Sequence, residues 1–349
     1  MHVVHFANFA PRRSGMYEST KDQIRYERKA GIKSDFIDPH DHWKDGTRNG
    51  EKKIDDGWLS PMPHKVAEEA DIWVMHSFIP GSVKKLFNKK KTVAVLHGPN
   101  EHMLLKEWTT ERKEQAFNLH INVLWTYDAT VAINQHEYDI MELYDEYNRL
   151  HYIPNSIDLE RYKNDGVAWE YQHRPAILSC DVTRLEKLPA HIIWSMPRIH
   201  KAIPDARLNV YGLTLEPIGT WRNIFCRSKG RKLEVLCENI QLQNSDLRPF
   251  MRGGDIGFNN NISGIASRVT MEMMAWGMPV VSYGGDYTKY HAKIFDMDSI
   301  AEQIIRCWED LSAKDSTLKR DTIKYAQEHF DREKEVKKYI KLYKELLGK

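Results

Sequence analysis

Apolar residues along this chain fall in short runs, and polar, glycine-bearing stretches separate them. His2–Phe6 (HVVHF), 71–76 (DIWVMH), 92–96 (TVAVL), 129–133 (ATVAI) and 151–153 predict buried strands, being too short for helices and rich in β-branched residues. Between them the period becomes helical. Residues 17–30 form one such stretch, stopped by Gly31, and Asn134-x-x-Glu137 is a capping box that opens a helix to about residue 150. The second half repeats the alternation. Strands are predicted at Ala176–Ser179, 204–212, 239–242, 255–258 and 279–281, with helices from 267 to about 276, from a Ser299-x-x-Glu302 cap to about 311, and over 331–347. In the penultimate helix Ile300, Ile304, Cys307, Trp308 and Leu311 make the inner stripe. Residues 164–175 (NDGVAWEYQHRP) are polar and predict a linker. The pattern is α/β throughout, in two halves.

A length of 349 residues suits two domains, and 41% hydrophobic residues suffice for two cores. A net charge of +2 argues against a partner held by bulk electrostatics. No apolar run reaches the length of a membrane span, and the first ten residues (MHVVHFANFA) lack the basic start of a signal peptide. Cys180, Cys226, Cys237 and Cys307 show no CxxC spacing and are expected to be reduced. The expectation is a cytoplasmic protein.

The stretch 253–286 (GGDIGFNNNISGIASRVTMEMMAWGMPVVSYGGD) organises the rest. A short strand ends at Phe258, and 259–263 cannot extend it, because Asn and Ser bond their own backbone. From Ser267 the positions Val269, Met273, Met274 and Ala275 recur at helical spacing, and Gly277 stops the helix. Glu272 is the one carboxylate inside this apolar helix. A buried carboxylate needs hydrogen-bond donors, from the protein or from a ligand. At the N-terminus, a strand feeds a loop containing Gly15 and then a helix, an arrangement that presents backbone N–H groups to an anion. His97 follows a strand directly, at the carboxyl end where ligands bind open α/β sheets. His40, Asp41 and His42 are adjacent and read as a solvated loop rather than a metal site. Lys84, Lys85, Lys89, Lys90 and Lys91 read as a solvated helix end. Residues 221–232 (WRNIFCRSKGRK) interleave aromatics with basic residues, a composition of surface loops and also of segments that track phosphates.

The run 267–285 (SRVTMEMMAWGMPVVSYGG) resembles the donor-site helix of retaining GT-B glycosyltransferases of the family 4 type, with its E-x7-E-A-M-A-x-G-x-P-V-V pattern. Further matches follow in the family's order. Residues 154–158 (PNSID) resemble its I-P-N-G-V-D, 204–212 its P-D-A-x-L-x-x-x-G, and 180–187 (CDVTRLEK) its G-R-L-x-x-x-K-G. The resemblance implies two Rossmann-like domains facing across a cleft: an acceptor-side domain over 1–160, rejoined by the last helix at 331–349, and a donor domain over 172–330. It gives Glu272 the ribose hydroxyls, Arg184 and Lys187 the donor diphosphate, and His97 the donor sugar. Gly15 would allow close approach of the diphosphate, and Gly264, Ser267 and Arg268 complete the donor-binding set, with Gln243 or Asn244 near the base. The first Glu of the pattern is replaced by Gly264, the first loop keeps one glycine of two, and the Arg184–Lys187 spacing is shorter than the family's.

These expectations describe a hexosyltransferase-like enzyme that takes a nucleotide-sugar donor, a UDP-sugar on the family's pattern, and a saccharide or other hydroxyl acceptor. It would retain anomeric configuration, with no cofactor and no metal. Two alternatives stay open: a phage-type glycosyltransferase acting on a hydroxylated base in DNA, and a sugar-nucleotide-binding relative without turnover.

Overall fold

A computed structural model of the chain describes residues 1–7, 15–37, 52–54, 57–59, 63–76, 83–97, 109–163, 166–180, 187, 190–213, 237–242 and 247–349. It divides into two units, Met1–Asp158 with Asp331–Lys349, and Leu159–Phe330.

In the first unit the strands are β1 (His2–Phe6), β2 (Lys33–Ile37), β3 (Lys52–Ile54), β4 (Gly57–Leu59), β5 (Ile72–Met75), β6 (Lys91–Leu96), β7 (Ala129–Ala132) and β8 (Leu150–Tyr152). They form one sheet in the order β3-β4-β2-β1-β5-β6-β7-β8, parallel except where β3 meets β4. Parallel strands need crossover connections. Here α1 (Gly15–Lys29), α2 (Pro63–Glu69), α3 (Thr110–Thr126) and α4 (Gln135–Glu142) supply them. Covered on both sides, the central strands are buried end to end, which explains their mostly apolar runs. Alternate residues of one strand serve opposite faces. Val3 packs with Ile72, Val74 and Val93, while Val4 packs with Phe6, Trp73 and Ala67.

The second unit holds β9 (Ala176–Ser179), β10 (Arg207–Leu213), β11 (Cys237–Leu242), β12 (Ile256–Phe258) and β13 (Val280–Val281), all parallel, in the order β11-β10-β9-β12-β13. Its helices are α5 (Ala190–Ala202), α6 (Arg248–Gly253), α7 (Arg268–Ala275), α8 (Met297–Ser312) and α9 (Leu318–His329). Ile192, Ile193 and Met196 of α5 and Ile300, Ile304 and Cys307 of α8 close one core against Ile177, Leu208, Val210 and Phe258 of the sheet. The chain then returns to the first unit in α10 (Arg332–Leu346), whose Tyr339, Leu342 and Tyr343 cover Val3 and Val74. A backbone bridge between Ile157 and Asp331 fixes the point of return.

Three expectations need correction. The helix opened by Asn134, whose side chain accepts from Glu137 N–H at 2.7 Å, ends at Glu142 rather than near residue 150. Asp145 ends it: its carboxylate accepts from the Arg149 and Leu150 N–H groups at 3.0 and 2.9 Å, while Asn148 takes a positive φ of 54°. The cap of α8 is Asp296, which accepts from Ser299 N–H at 2.9 Å, and not Ser299 itself. The expected linker packs instead of floating. Tyr171 is buried with its hydroxyl 3.0 Å from that of Tyr211, Trp169 lies on Phe250, and Arg174 pairs with Asp255 at 2.6 Å.

Candidate donor site and a buried histidine row

Each sheet grows outward in both directions from its first strand, so each has a point where the chain changes direction. In the second unit this point lies between β9 and β12, and in the first between β1 and β5. Ligands of open parallel sheets bind at the carboxyl ends of strands at such points.

In the second unit the two strand ends are tied together by Asn260, whose amide donates to Ser179 Oγ at 2.6 Å. Asn259, wholly buried, donates to the Tyr287 hydroxyl at 2.7 Å and to the Ile265 carbonyl at 2.9 Å. Tyr287 in turn donates to the Gly264 carbonyl at 2.9 Å and lies 2.6 Å from Ser282 Oγ. This polar network holds the loop between β12 and α7 in one conformation. Helix α7 then starts at its Ser267 cap, which accepts from Thr270 N–H at 3.2 Å. One turn inside, Arg268 Nε donates to Glu272 Oε1 at 2.8 Å.

The donor that Glu272 requires is therefore supplied by its own helix, an i,i+4 pair, and the carboxylate is 17% exposed rather than enclosed. Its second oxygen, Oε2, has no hydrogen bond among the described residues. Gly264 has a physical reason. It sits at φ +68°, and a Cβ there would lie 2.7 Å from the Gly284 Cα, backbone against backbone. A Cβ on Gly285, at φ +94°, would lie 2.6 Å from the Gly264 carbonyl oxygen. Gly284 and Gly285 thus pack directly against Gly264.

Of the expected site residues, Ser267, Arg268 and Glu272 come together on α7, with Gly264 in the loop just before it. Lys187 is half-buried. Arg184 lies outside the described residues, as do His40–His42, Gln243, Asn244 and residues 221–232. Gly15 and His97 belong to the first unit. Gly15 opens α1, and nothing among the described residues lies within 4 Å of where its Cβ would stand.

His97 stands at the carboxyl end of β6 and is not isolated. Its Nε2 lies 2.7 Å from His76 Nδ1, and His76 Nε2 lies 3.0 Å from His5 Nδ1. His5 Nε2 meets Glu27 Oε2 at 2.8 Å. His5 sits in β1 and His76 directly follows β5, so the row crosses the first unit's direction change. Burial, then the nearby Arg332 charge, brings His97 down to about 4, and burial with the neighbouring His97, His5 and Arg332 holds His76 well below the ordinary range. His5, His76 and Glu27 were not singled out from sequence. The signal was present, since His5 interrupts an apolar strand run, His76 ends another, and a buried polar side chain needs a partner.

Among the described residues no group of three or more His, Cys, Asp or Glu is arranged to hold a metal ion, and no helix is long and apolar enough to cross a membrane. No family model and no curated protein matches the sequence. Solved structures do match, over nearly the whole chain. Sucrose-phosphate synthase from Thermosynechococcus elongatus aligns with a TM-score of 0.77 at 12% identity, covering 100% of this chain and 99% of that one. A glycosyltransferase from Rickettsia africae ESF-5 aligns with a TM-score of 0.70 at 15% identity, covering 99% and 98%. An α-glucosyltransferase in complex with UDP and a 13-mer DNA containing an HMU base aligns with a TM-score of 0.63 at 12% identity, covering 98% and 99%. The chain has the GT-B fold of these glycosyltransferases.

Proposed function

We propose that the protein is a glycosyltransferase that moves a sugar from a nucleotide-sugar donor, a UDP-sugar first among the candidates, to a hydroxyl acceptor. The observation that carries this reading is Glu272. A carboxylate with one oxygen held by Arg268 and the other uncommitted among the described residues, one turn into a capped helix beside the direction change of a parallel sheet, is an acceptor for a vicinal diol such as a ribose. The family 4 resemblance of 267–285 and the shared GT-B fold support it.

In this reading Arg184 and Lys187 neutralise the diphosphate and Gly15 leaves room for it, while His97 is the first unit's contact for a sugar hydroxyl. The bond from the anomeric carbon to the diphosphate oxygen breaks. A bond to the acceptor oxygen forms on the same face, and the acceptor proton passes to the departing diphosphate. The products are a glycoside of retained configuration and a nucleoside diphosphate. No protein nucleophile is assigned, and the cations take the place of a divalent metal.

The test is a thermal-shift screen against UDP-, GDP-, ADP- and CMP-sugars. One family of nucleotides raising the melting temperature is the expected result. No response to any of them would overturn the reading.

Acceptor class divides the proposal further. A saccharide is the favoured acceptor at a net charge of +2. DNA is the second reading, favoured by the basic aromatic run 221–232 and by the fold shared with a transferase solved with DNA. Tight, salt-sensitive filter binding of duplex DNA carrying a hydroxylated base would select it, and absence of such binding selects the saccharide. Donor-stimulated shifts without transfer to any acceptor, and without donor hydrolysis, would mark a binding relative that does not turn over.

A further inference from the structure

Glu27, on α1, is fully buried and ringed by donors. Its Oε2 accepts from Ser34 Oγ at 2.6 Å and meets His5 Nε2 at 2.8 Å. Its Oε1 accepts from Gln23 Nε2 at 3.1 Å and from the Tyr343 hydroxyl at 3.0 Å. Burial is the largest single influence and pushes the carboxyl up, yet His5 and the hydrogen bonds together bring it below the ordinary range. Glu27 is an anion.

That anion dictates the proton positions along the whole row. A carboxylate only accepts, so His5 Nε2 carries a proton. In neutral His5 the other nitrogen, Nδ1, is then a lone pair, and His76 Nε2 must donate to it. His76 Nδ1 is thereby an acceptor, and His97 Nε2 must donate to it. His97 Nδ1 ends the row as a lone pair, with no hydrogen bond among the described residues. One extra proton on His5 reverses every bond. His5 Nδ1–H then donates to His76, His76 Nδ1–H donates to His97, and His97 Nδ1–H becomes a donor.

We infer that Glu27, His5 and His76 are positioning residues that set the hydrogen-bond polarity of His97 Nδ1, which presents a lone pair to a ligand hydroxyl while His5 carries a single proton. A neutral lone pair accepts from a hydroxyl and repels the oxygens of a phosphate, which makes His97 a reader of sugar hydroxyls and not of the diphosphate. The inference rests on the proposed sugar transfer only for the identity of that hydroxyl.

The groups around the row agree with the assignment. Arg332, on α10, opposes a proton on His76 or His97, and is itself paired with Glu335 at 2.5 Å. Tyr339 and Tyr343, also on α10, are raised well above the ordinary tyrosine range, chiefly by burial, and stay neutral. Ser34 on β2 and Gln23 on α1 do not titrate. Of the three imidazoles in the row, His5 is the one that faces the carboxylate.

The experiment is a long-range 1H–15N correlation spectrum of the histidine rings in the full chain. At pH 7.5 the expected pattern for His5, His76 and His97 is a protonated Nε2 and a bare Nδ1. A titration downward should convert His97 Nδ1 to the protonated form. Tyr343→Phe, which removes one donor from Glu27 and keeps the ring, makes the carboxylate more basic. It should move that conversion upward by about half to one pH unit, with the acid limb of kcat/KM for a nucleotide sugar moving by the same amount. A proton on His97 Nδ1 in the unaltered protein at pH 7.5 would overturn the inference, and so would an unmoved conversion in Tyr343→Phe. If no nucleotide sugar is turned over, the transferase reading fails while the ring tautomers still decide the relay.

Discussion

Glu272 and Gly264 mark the two ends of the same motif, and their constraints are opposite. A shorter side chain fits at Glu272, which is 17% exposed and whose side-chain partner among the described residues is Arg268, buried one turn earlier on the same helix. Glu272→Ala should leave a folded protein whose nucleotide affinity falls by about 1.5–3 kcal/mol, the range for a hydrogen bond to a charged group. Isothermal titration with the nucleotide found by thermal shift measures it, and unchanged affinity would remove Glu272 from the donor site. Gly264 has no such freedom. Gly264→Glu, which restores the family's acidic residue, should destabilise rather than activate. A side chain at φ +68° costs roughly 1–2 kcal/mol, and the clash with the Gly284 backbone adds about 1–3 kcal/mol more. A lowered melting temperature with no gain in transfer is the expected outcome, and a midpoint equal to that of the unaltered protein would refute the backbone argument.

At the scale of elements, polar side chains at helix and strand ends decide where each piece starts and stops. Asp296 and Ser299 compete for the cap of α8, and the hydrogen bonds assign it to Asp296. Asp296→Ala should cost about 1 kcal/mol, while Ser299→Ala, which loses only an acceptor for the exposed Lys293 N–H, should cost less. Comparing the two denaturation midpoints reads the difference, and the reverse order would restore Ser299 as the cap. The same logic explains why the strand pattern was legible and the helix ends less so. Buried parallel strands write themselves as short, mostly apolar runs, as in His2–Phe6 and Ala176–Ser179, both of which match the structure residue for residue. The end of α4 is written by one carboxylate, Asp145, folding back on two N–H groups, and no period records that.

For the molecule as a whole, buried histidines tie stability to pH. His76 and His97 titrate lower in the folded protein than the ordinary value near 6.5, so protonation favours the unfolded chain. Their contribution is intact above about pH 6.5 and is lost as pH falls toward about 4, where His97 protonates in the folded state. Glu27 adds to the loss in the same direction, because its lowered carboxyl stabilises the folded form only while ionised. Melting temperature should therefore drop between pH 7.5 and 4.5, and His97→Asn should flatten the curve. A protein equally stable at both ends would contradict the buried-neutral assignment. Turnover carries the last prediction. With Arg184 and Lys187 proposed as the countercharge, transfer should survive EDTA, and activity abolished by EDTA and restored by manganese or magnesium would reject that assignment.

The sequence by itself determined the α/β alternation, the strands other than β2, β3 and β4, the helix bearing Glu272 and the place of His97 after a strand, because each depends on period or on neighbours within a few residues. Only the tertiary structure decided what those residues touch. Glu272 takes its donor from Arg268, as the helical period allowed, but its exposure depends on packing. Gly264 is glycine because Gly284 arrives from the far side of α7 and β13. Glu27, His5, His76 and His97 come from α1, β1 and the ends of β5 and β6, and Tyr343 joins them from the last helix. Local pattern encodes which way a side chain faces. Which distant side chain completes its hydrogen bonds is settled when parallel strands far apart in sequence become neighbours in the sheet.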